Sequence, residues 1–237
     1  MLRFFSKIRM KLAAENKPVK YMRYAIGEIV LVVIGIVIAL QINNWNENRK
    51  EAIFEKKVLK EIQSSLRDNI NFLNRGIRRN NAAIYSCRII LNHFEKNLPY
   101  HDSLDYHFSV SLEWFRPSMN NPAYEGLKSY GLHVIKNDTI REKLADIYEW
   151  EYMEILNERQ DEYFFGTIAP ILTELFESYK VRGPMKPYNY TKLKDSKKYQ
   201  HILRTLISNR EHQNVYWNII INSRQELVNL IDEELTK

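Results

Sequence analysis

Between Pro18 and Pro99 the chain has no proline, and its only glycines there are Gly27, Gly35 and Gly76. Nothing in that stretch forces a break, so one helix is expected to run on to about Asn97. The chain has one cysteine, Cys87, which excludes an internal disulfide. A buried, inert thiol is the expectation; a symmetric interchain disulfide would need this helix to pair in parallel with its own copy. Residues 24–45 contain no basic side chain, and Glu28 is their one acid.

Chemistry-bearing patterns are missing as well. There is no H-E-x-x-H, C-x-x-C, Walker loop or G-x-S-x-G. None of the histidines has an acid three residues before it, as a di-iron bundle requires. His101 and His107 are six residues apart, a spacing that puts them on different helix faces. No cofactor, metal or catalytic residue is therefore indicated. Alternating strands with hairpin turns are absent too, which leaves an all-α class.

What is present begins with residues 25–42, AIGEIVLVVIGIVIALQI. As a helix this run is roughly 27 Å long, enough to cross a hydrocarbon core. Before it, residues 1–23 hold Arg3, Lys7, Arg9, Lys11, Lys17, Lys20 and Arg23 against the single acid Glu15. From residue 46 onward, 28 basic residues face 27 acidic ones, so the pI of 9.2 reports the head and not a basic domain. A body without a net positive field argues against nucleic acid as a partner.

Positive charge against one end of a span keeps that end in the cytoplasm. The reading is then a cytoplasmic head (1–23), a transmembrane helix (24–45) and a periplasmic domain (46–237). Tyr21, Tyr24 and Trp45 are placed as interfacial anchors, and Asn43, Asn44 and Asn46 mark the polar exit. A cleaved signal peptide would need small residues after the apolar run, where Leu40-Gln41-Ile42-Asn43 stands instead. A mitochondrial presequence would change the address more than the architecture. Leu2, Phe5, Ile8 and Leu12 fit either an amphipathic segment on an anionic leaflet or a basic tail.

Glu28 lies about one turn inside the run. It either reaches the headgroups or acts as an intramembrane acid. Gly27, Gly35 and Ala39 make a small-residue stripe of the kind that lets two helices approach, so a homo-oligomer is one expectation.

Beyond the span, Ile70, Ile77, Ile84, Leu91 and Leu98 recur every seven residues. Leu59, Leu66, Leu73, Asn80, Cys87 and Phe94 interleave with them. The two sets form a coiled-coil-like seam of period 3.5, roughly 60 Å long. A short helix is expected from Pro122 to Gly131, and another opened by a Thr139–Glu142 capping box. That second helix should run to a kink near Gly166 and Pro170, with a further helical piece to about Val181. Residues 183–196 read as a loop.

From Ser196 a last helix lines one face with Ile202, Leu206, Tyr216, Ile220, Leu227 and Leu230. Laid antiparallel to residues 59–98, it completes an elongated antiparallel helical bundle. That pairing brings Asn80 level with Gln213 and Tyr216 as a polar core layer, which either fixes register or lines a ligand site. Glu151, Glu154 and Glu158 fall on one stripe among Tyr148, Trp150, Tyr152, Tyr163, Phe164 and Phe165. This is a solvated acidic face, or else an attraction for a cation or a basic partner.

The run YAIGEIVLVVIGIVIALQINNWNENRKE (24–51) resembles the N-terminal part of an uncharacterised domain-of-unknown-function family. Its members are short membrane-anchored proteins of flavobacteria and related Bacteroidota. PAYEGLKSYGLHVIKNDTIREKLADIYEWE (122–151) resembles that family's central pattern. The resemblance implies a bacterial inner-membrane protein with a periplasmic helical domain, and it supplies no activity.

The expected function is a membrane-tethered module for protein interaction or ligand sensing, without catalysis of its own. Its partners would be the lipid bilayer and another inner-membrane or periplasmic protein. With 23 residues expected inside, any signal would pass through a partner at the basic head or Glu28. A scaffold spacer is the second expectation, and an unrecognised carboxylate enzyme around Glu151, Glu154 and Glu158 the third.

Overall fold

The computed structural model describes residues 10, 18–116, 119, 121–148, 159–180 and 183–237. The fold is all-α: among these residues the only β pairing is an isolated bridge between Phe176 and Pro187. The chain forms two compact units, Met1–Lys56 and Lys57–Lys237. Helix α1 (Pro18–Glu95) contributes to both.

In the first unit every residue from Ile29 to Ile42 is exposed. This is one helical stretch long and apolar enough to cross a membrane.

In the second unit the Lys57–Glu95 part of α1 packs antiparallel against α7 (Lys197–Leu235). The contacts run in opposite directions along the two helices. Gln63 Nε2 donates to Asp232 Oδ1 at 2.7 Å, Arg88 pairs with Glu211 at 2.7 Å, and Arg204 pairs with Glu95 at 3.0 Å. The heptad set Leu59, Leu66, Leu73, Asn80, Cys87 and Phe94 is buried throughout. Ile70, Ile84 and Leu91 are buried at its edge, while Ile77 and Leu98 are half-buried.

On α7 the buried positions include Leu203, Arg210, Trp217, Arg224 and Ile231, again seven apart. The apolar face read from the sequence needs correcting here, because Tyr216, Ile220 and Leu230 are only half-buried. Two arginines inside the true stripe hide it from a reading of apolar residues alone.

Around this pair the chain adds α2 (Leu104–Ser111), α3 (Pro122–Tyr130), a 3₁₀ turn (Leu132–Val134) and α4 (Asp138–Tyr148). Pro122 opens α3 at its first turn, and Gly131 ends it with φ 102°, a left-handed value that a side chain would resist. Tyr124 of α3 stacks on Tyr148 of α4 with ring centroids 4.3 Å apart. The start of α4 is not a Thr139 capping box: Asn137 Oδ1 accepts from Ile140 N, and Thr139 lies inside the helix. Asn137 also donates to Glu234 Oε2 at 2.7 Å, which ties this cap to α7.

Residues 159–163 are helical and widen into a π turn, Phe164–Ile168, before α5 (Ala169–Leu175). The expected break at Gly166 and Pro170 takes this form. A proline ring clashes with the carbonyl four residues back, and a five-residue turn carries that carbonyl aside. Ala169 N accordingly donates to Phe164 O. The helix stops at Leu175, earlier than Val181, because Phe176 turns to extended geometry. Glu177 N then donates to Lys186 O at 2.9 Å, and Tyr188 N to Leu175 O at 3.0 Å. The stretch read as a loop holds a short helix, α6 (Tyr190–Asp195), capped by Asn189.

The largest core cluster packs Cys87, Ile90 and Phe94 of α1 with Phe108, Phe176, Tyr199 and Leu203. A second joins Leu73, Phe115 and Trp217. Gly76 permits the second: a Cβ there would lie 2.6 Å from the rings of both Phe115 and Trp217.

Candidate functional site

Asn80 and Gln213 meet in the seam. Asn80 is 3% exposed, and its Nδ2 donates to Gln213 Oε1 and Asn214 Oδ1, both at 2.9 Å. Asn214 in turn donates to Asn81 Oδ1 at 2.8 Å, so the layer runs from the core to the surface. Tyr216 is elsewhere, packed beside Leu73 and Trp217. Asn214 takes the place expected of Tyr216, since it faces α1 from the flank of the stripe.

One turn along α7 lies a residue that reading the sequence for apolar spacing missed. Arg210 is 2% exposed, and its Nη2 donates to the carbonyls of Ser111 and Glu113, each at 2.9 Å. Its Nη1 faces Cys87 Sγ at 3.8 Å. Burial pushes the Cys87 thiol up to about 11, with Arg210 pulling the other way, so it stays protonated at neutral pH. Arg224, two heptads further along α7, places Nη2 3.2 Å from Met119 Sδ. Burial lowers both guanidinium pKa values, although neither group loses its charge at neutral pH. The signal that could have found these arginines is their register with Leu203, Trp217 and Ile231.

The π turn shapes two clefts of this unit. A cleft of about 450 Å³ lies between Arg79, Trp114, Arg116, Gln160, Phe164 and Tyr179. Arg116 pairs with Asp161 on its wall, and Arg79 sits 5.3 Å from the centroid of the Phe115 ring. A second groove of about 350 Å³ shares Phe164, Phe165 and Tyr179 and adds Leu172, Phe176 and Tyr188. Phe164 meets Phe165 edge-on at 5.3 Å and Tyr179 at 5.7 Å. Burial raises the Tyr179 phenol above its ordinary pKa, so it is a neutral hydrogen-bonding group. A third cleft, of about 700 Å³, opens between Ser65, Asn69, Phe72 and Pro122.

The remaining sequence candidates are placed as follows. Trp45 and Gly27, Gly35 and Ala39 are exposed, and the positions of a Cβ on Gly27 and Gly35 meet nothing within 4 Å. Glu28 is half-buried. Tyr24 is on α1, with its side chain outside the described residues. Glu151, Glu154 and Glu158, with Trp150 and Tyr152, also lie outside them. Among the described residues no three His, Cys, Asp or Glu side chains gather as a metal site.

Fold and site together define an all-α protein with, among the described residues, one candidate membrane-spanning helix, and with an aromatic-lined helical unit, Lys57–Lys237. Residues 28–88 match a family described as "Family of unknown function (DUF6090)", so the similarity runs from within the apolar stretch to Arg88, just past Cys87 of the buried seam. No curated protein matches the chain, and no solved structure does.

Proposed function

We propose that the chain is a single-span protein of a bacterial inner membrane, with its basic head in the cytoplasm and its helical unit in the periplasm. There it binds a partner protein or a ligand and performs no reaction of its own. The observation that carries this reading is the fully exposed apolar run from Ile29 to Ile42. An apolar surface of that length is tolerated in lipid and not in water. The positive charges that precede it favour the head-inside orientation. The clefts beside the π turn, lined by Trp114, Phe164, Phe165 and Tyr179, supply a surface of the amphipathic type that binding uses.

The test is protease treatment of spheroplasts expressing the full chain with a C-terminal tag. Loss of the tag together with survival of an N-terminal membrane-bound fragment is expected. A tag that stays intact until the membrane is permeabilised would overturn the orientation. A soluble mature form beginning after Trp45 would overturn the anchor.

A second reading, a spacer, draws on the register-fixing contacts between α1 and α7. Under it, deleting matched heptads from both helices impairs function, whereas substitutions in the aromatic clefts leave it intact.

A further inference from the structure

Along the seam the two long helices neutralise their surface charges in pairs: Arg67 with Asp232, Arg88 with Glu211, Arg204 with Glu95. The end of the Lys57–Lys237 unit where α1 finishes and α7 begins is different. Between residues 180 and 198 the described chain carries Lys180, Lys186, Lys192, Lys194, Lys197 and Lys198 against one acid, Asp195. None of these lysines forms an ion pair among the described residues, and the Lys194 ammonium donates to the neutral amide oxygen of Asn97.

These charges adjoin the 350 Å³ groove. Residues 186–188 run alongside 175–177, held by the Glu177–Lys186 and Leu175–Tyr188 backbone bonds and the Phe176–Pro187 bridge. Lys186 therefore stands next to the groove wall, and Lys180 directly follows Tyr179 on its rim. Leu172 and Phe176 are buried at the base of the groove. Phe165, Tyr179 and Tyr188 stand around it 67%, 44% and 63% exposed. Glu177 is the one charged residue among the described lining residues, and Lys180 and Lys186 flank the groove in the chain on either side of it.

We infer that this groove and its flanking lysines are the docking site for an acidic segment of a partner protein. One aromatic or aliphatic side chain of that segment enters between Phe165, Tyr179 and Tyr188, and its carboxylates meet Lys180 and Lys186. The lysines select the charge of the occupant, since each offers a point charge that pairs with no carboxylate among the described residues. The recess selects a protruding side chain, because 350 Å³ lies at the small end of ligand sites and gives a flat bilayer no purchase. Exposed aromatics beside a buried apolar base are the composition of an interface anchor pocket.

The inference rests on the proposed binding role and names its surface. The test uses the full chain in detergent micelles and a fluorescein-labelled Glu-Glu-Phe-Glu-Glu peptide read by anisotropy. Binding is expected at low salt and should weaken about tenfold or more at high salt, where charges are screened. A similar loss is expected from Tyr188→Ser, from Lys180→Glu with Lys186→Glu, and from a peptide with Ser in place of Phe. All three protein substitutions are on exposed side chains, and circular dichroism checks that the fold is kept. No binding, equal binding of the Ser peptide, or indifference to these substitutions would overturn the inference. Binding to phosphatidylglycerol vesicles without binding to the peptide would also overturn it, in favour of a lipid surface. Photocrosslinkers at Tyr188 and at the exposed Arg78 separate the two claims. Partner crosslinks from Arg78 alone leave the binding role standing without the groove, and none from either position removes both.

Discussion

Asn80 and Gln213, 133 residues apart, share a 2.9 Å amide–amide hydrogen bond inside an otherwise largely apolar seam. A neutral layer of this kind contributes little net stability, yet it makes every other register worse by stranding the two amides against hydrocarbon.

Substituting Asn80→Leu removes the donor and leaves Gln213 buried without it. We expect a loss of about 1–3 kcal/mol in urea unfolding of the full chain in detergent. The double substitution Asn80→Leu, Gln213→Leu should recover most of that loss, because both polar groups are then gone. A double variant as weak as the single one would mean that the layer stabilises outright.

Gly76→Ala should lower the thermal midpoint. The added methyl collides with the Phe115 and Trp217 rings at 2.6 Å, and both rings are buried. The expected cost is about 1–3 kcal/mol, as for overpacking in general. Trp217 fluorescence reports whether the ring moves to make room.

Arg210→Met should destabilise by about 2–4 kcal/mol, since the carbonyls of Ser111 and Glu113 lose their shared donor in a buried place. Arg210→Lys should fail to rescue, because an ammonium lacks the planar fork. Hydrogen exchange along 109–115 would show the segment released in both variants.

The Cys87 thiol gives a pH signature. Its pKa rises from 9.0 to about 11 on folding, so between those values the unfolded chain has released a proton that the folded one still holds. Stability from this group is complete below about pH 9 and declines as pH climbs towards 11. Comparing the slopes of wild type and Cys87→Ala isolates the thiol from the tyrosines that also titrate there. Equal slopes would contradict the assignment. A thiol reagent should label Cys87 on unfolding and hardly at all before it.

Much of this architecture was readable from residue spacing. The α1 seam followed from a seven-residue repeat that survives both Asn80 and Cys87. Pro122 and Gly131 marked the ends of α3, and Ser196 marked the start of α7. The α7 seam was less legible, because Arg210 and Arg224 occupy core positions whose burial depends on the Ser111 and Glu113 carbonyls and the Met119 sulfur, partners distant in sequence. The end of α5 at Leu175 was equally hidden, since the bridge to Pro187 overrides local helix preference. Of the groove's aromatics Phe164 and Phe165 could be named in advance, but not Phe176, Tyr179 or Tyr188, which the π turn and the bridge to Pro187 bring to them.

The pairing of α1 with α7 also has a consequence for biogenesis. Translation delivers the leucines of α1 more than a hundred residues before Lys197 begins the helix that covers them. Until then a greasy ridge tens of ångströms long waits uncapped, and late closure makes for slow maturation. A holding chaperone on that ridge during synthesis would be the natural remedy, and truncation within α7 should turn the nascent protein into a substrate for degradation.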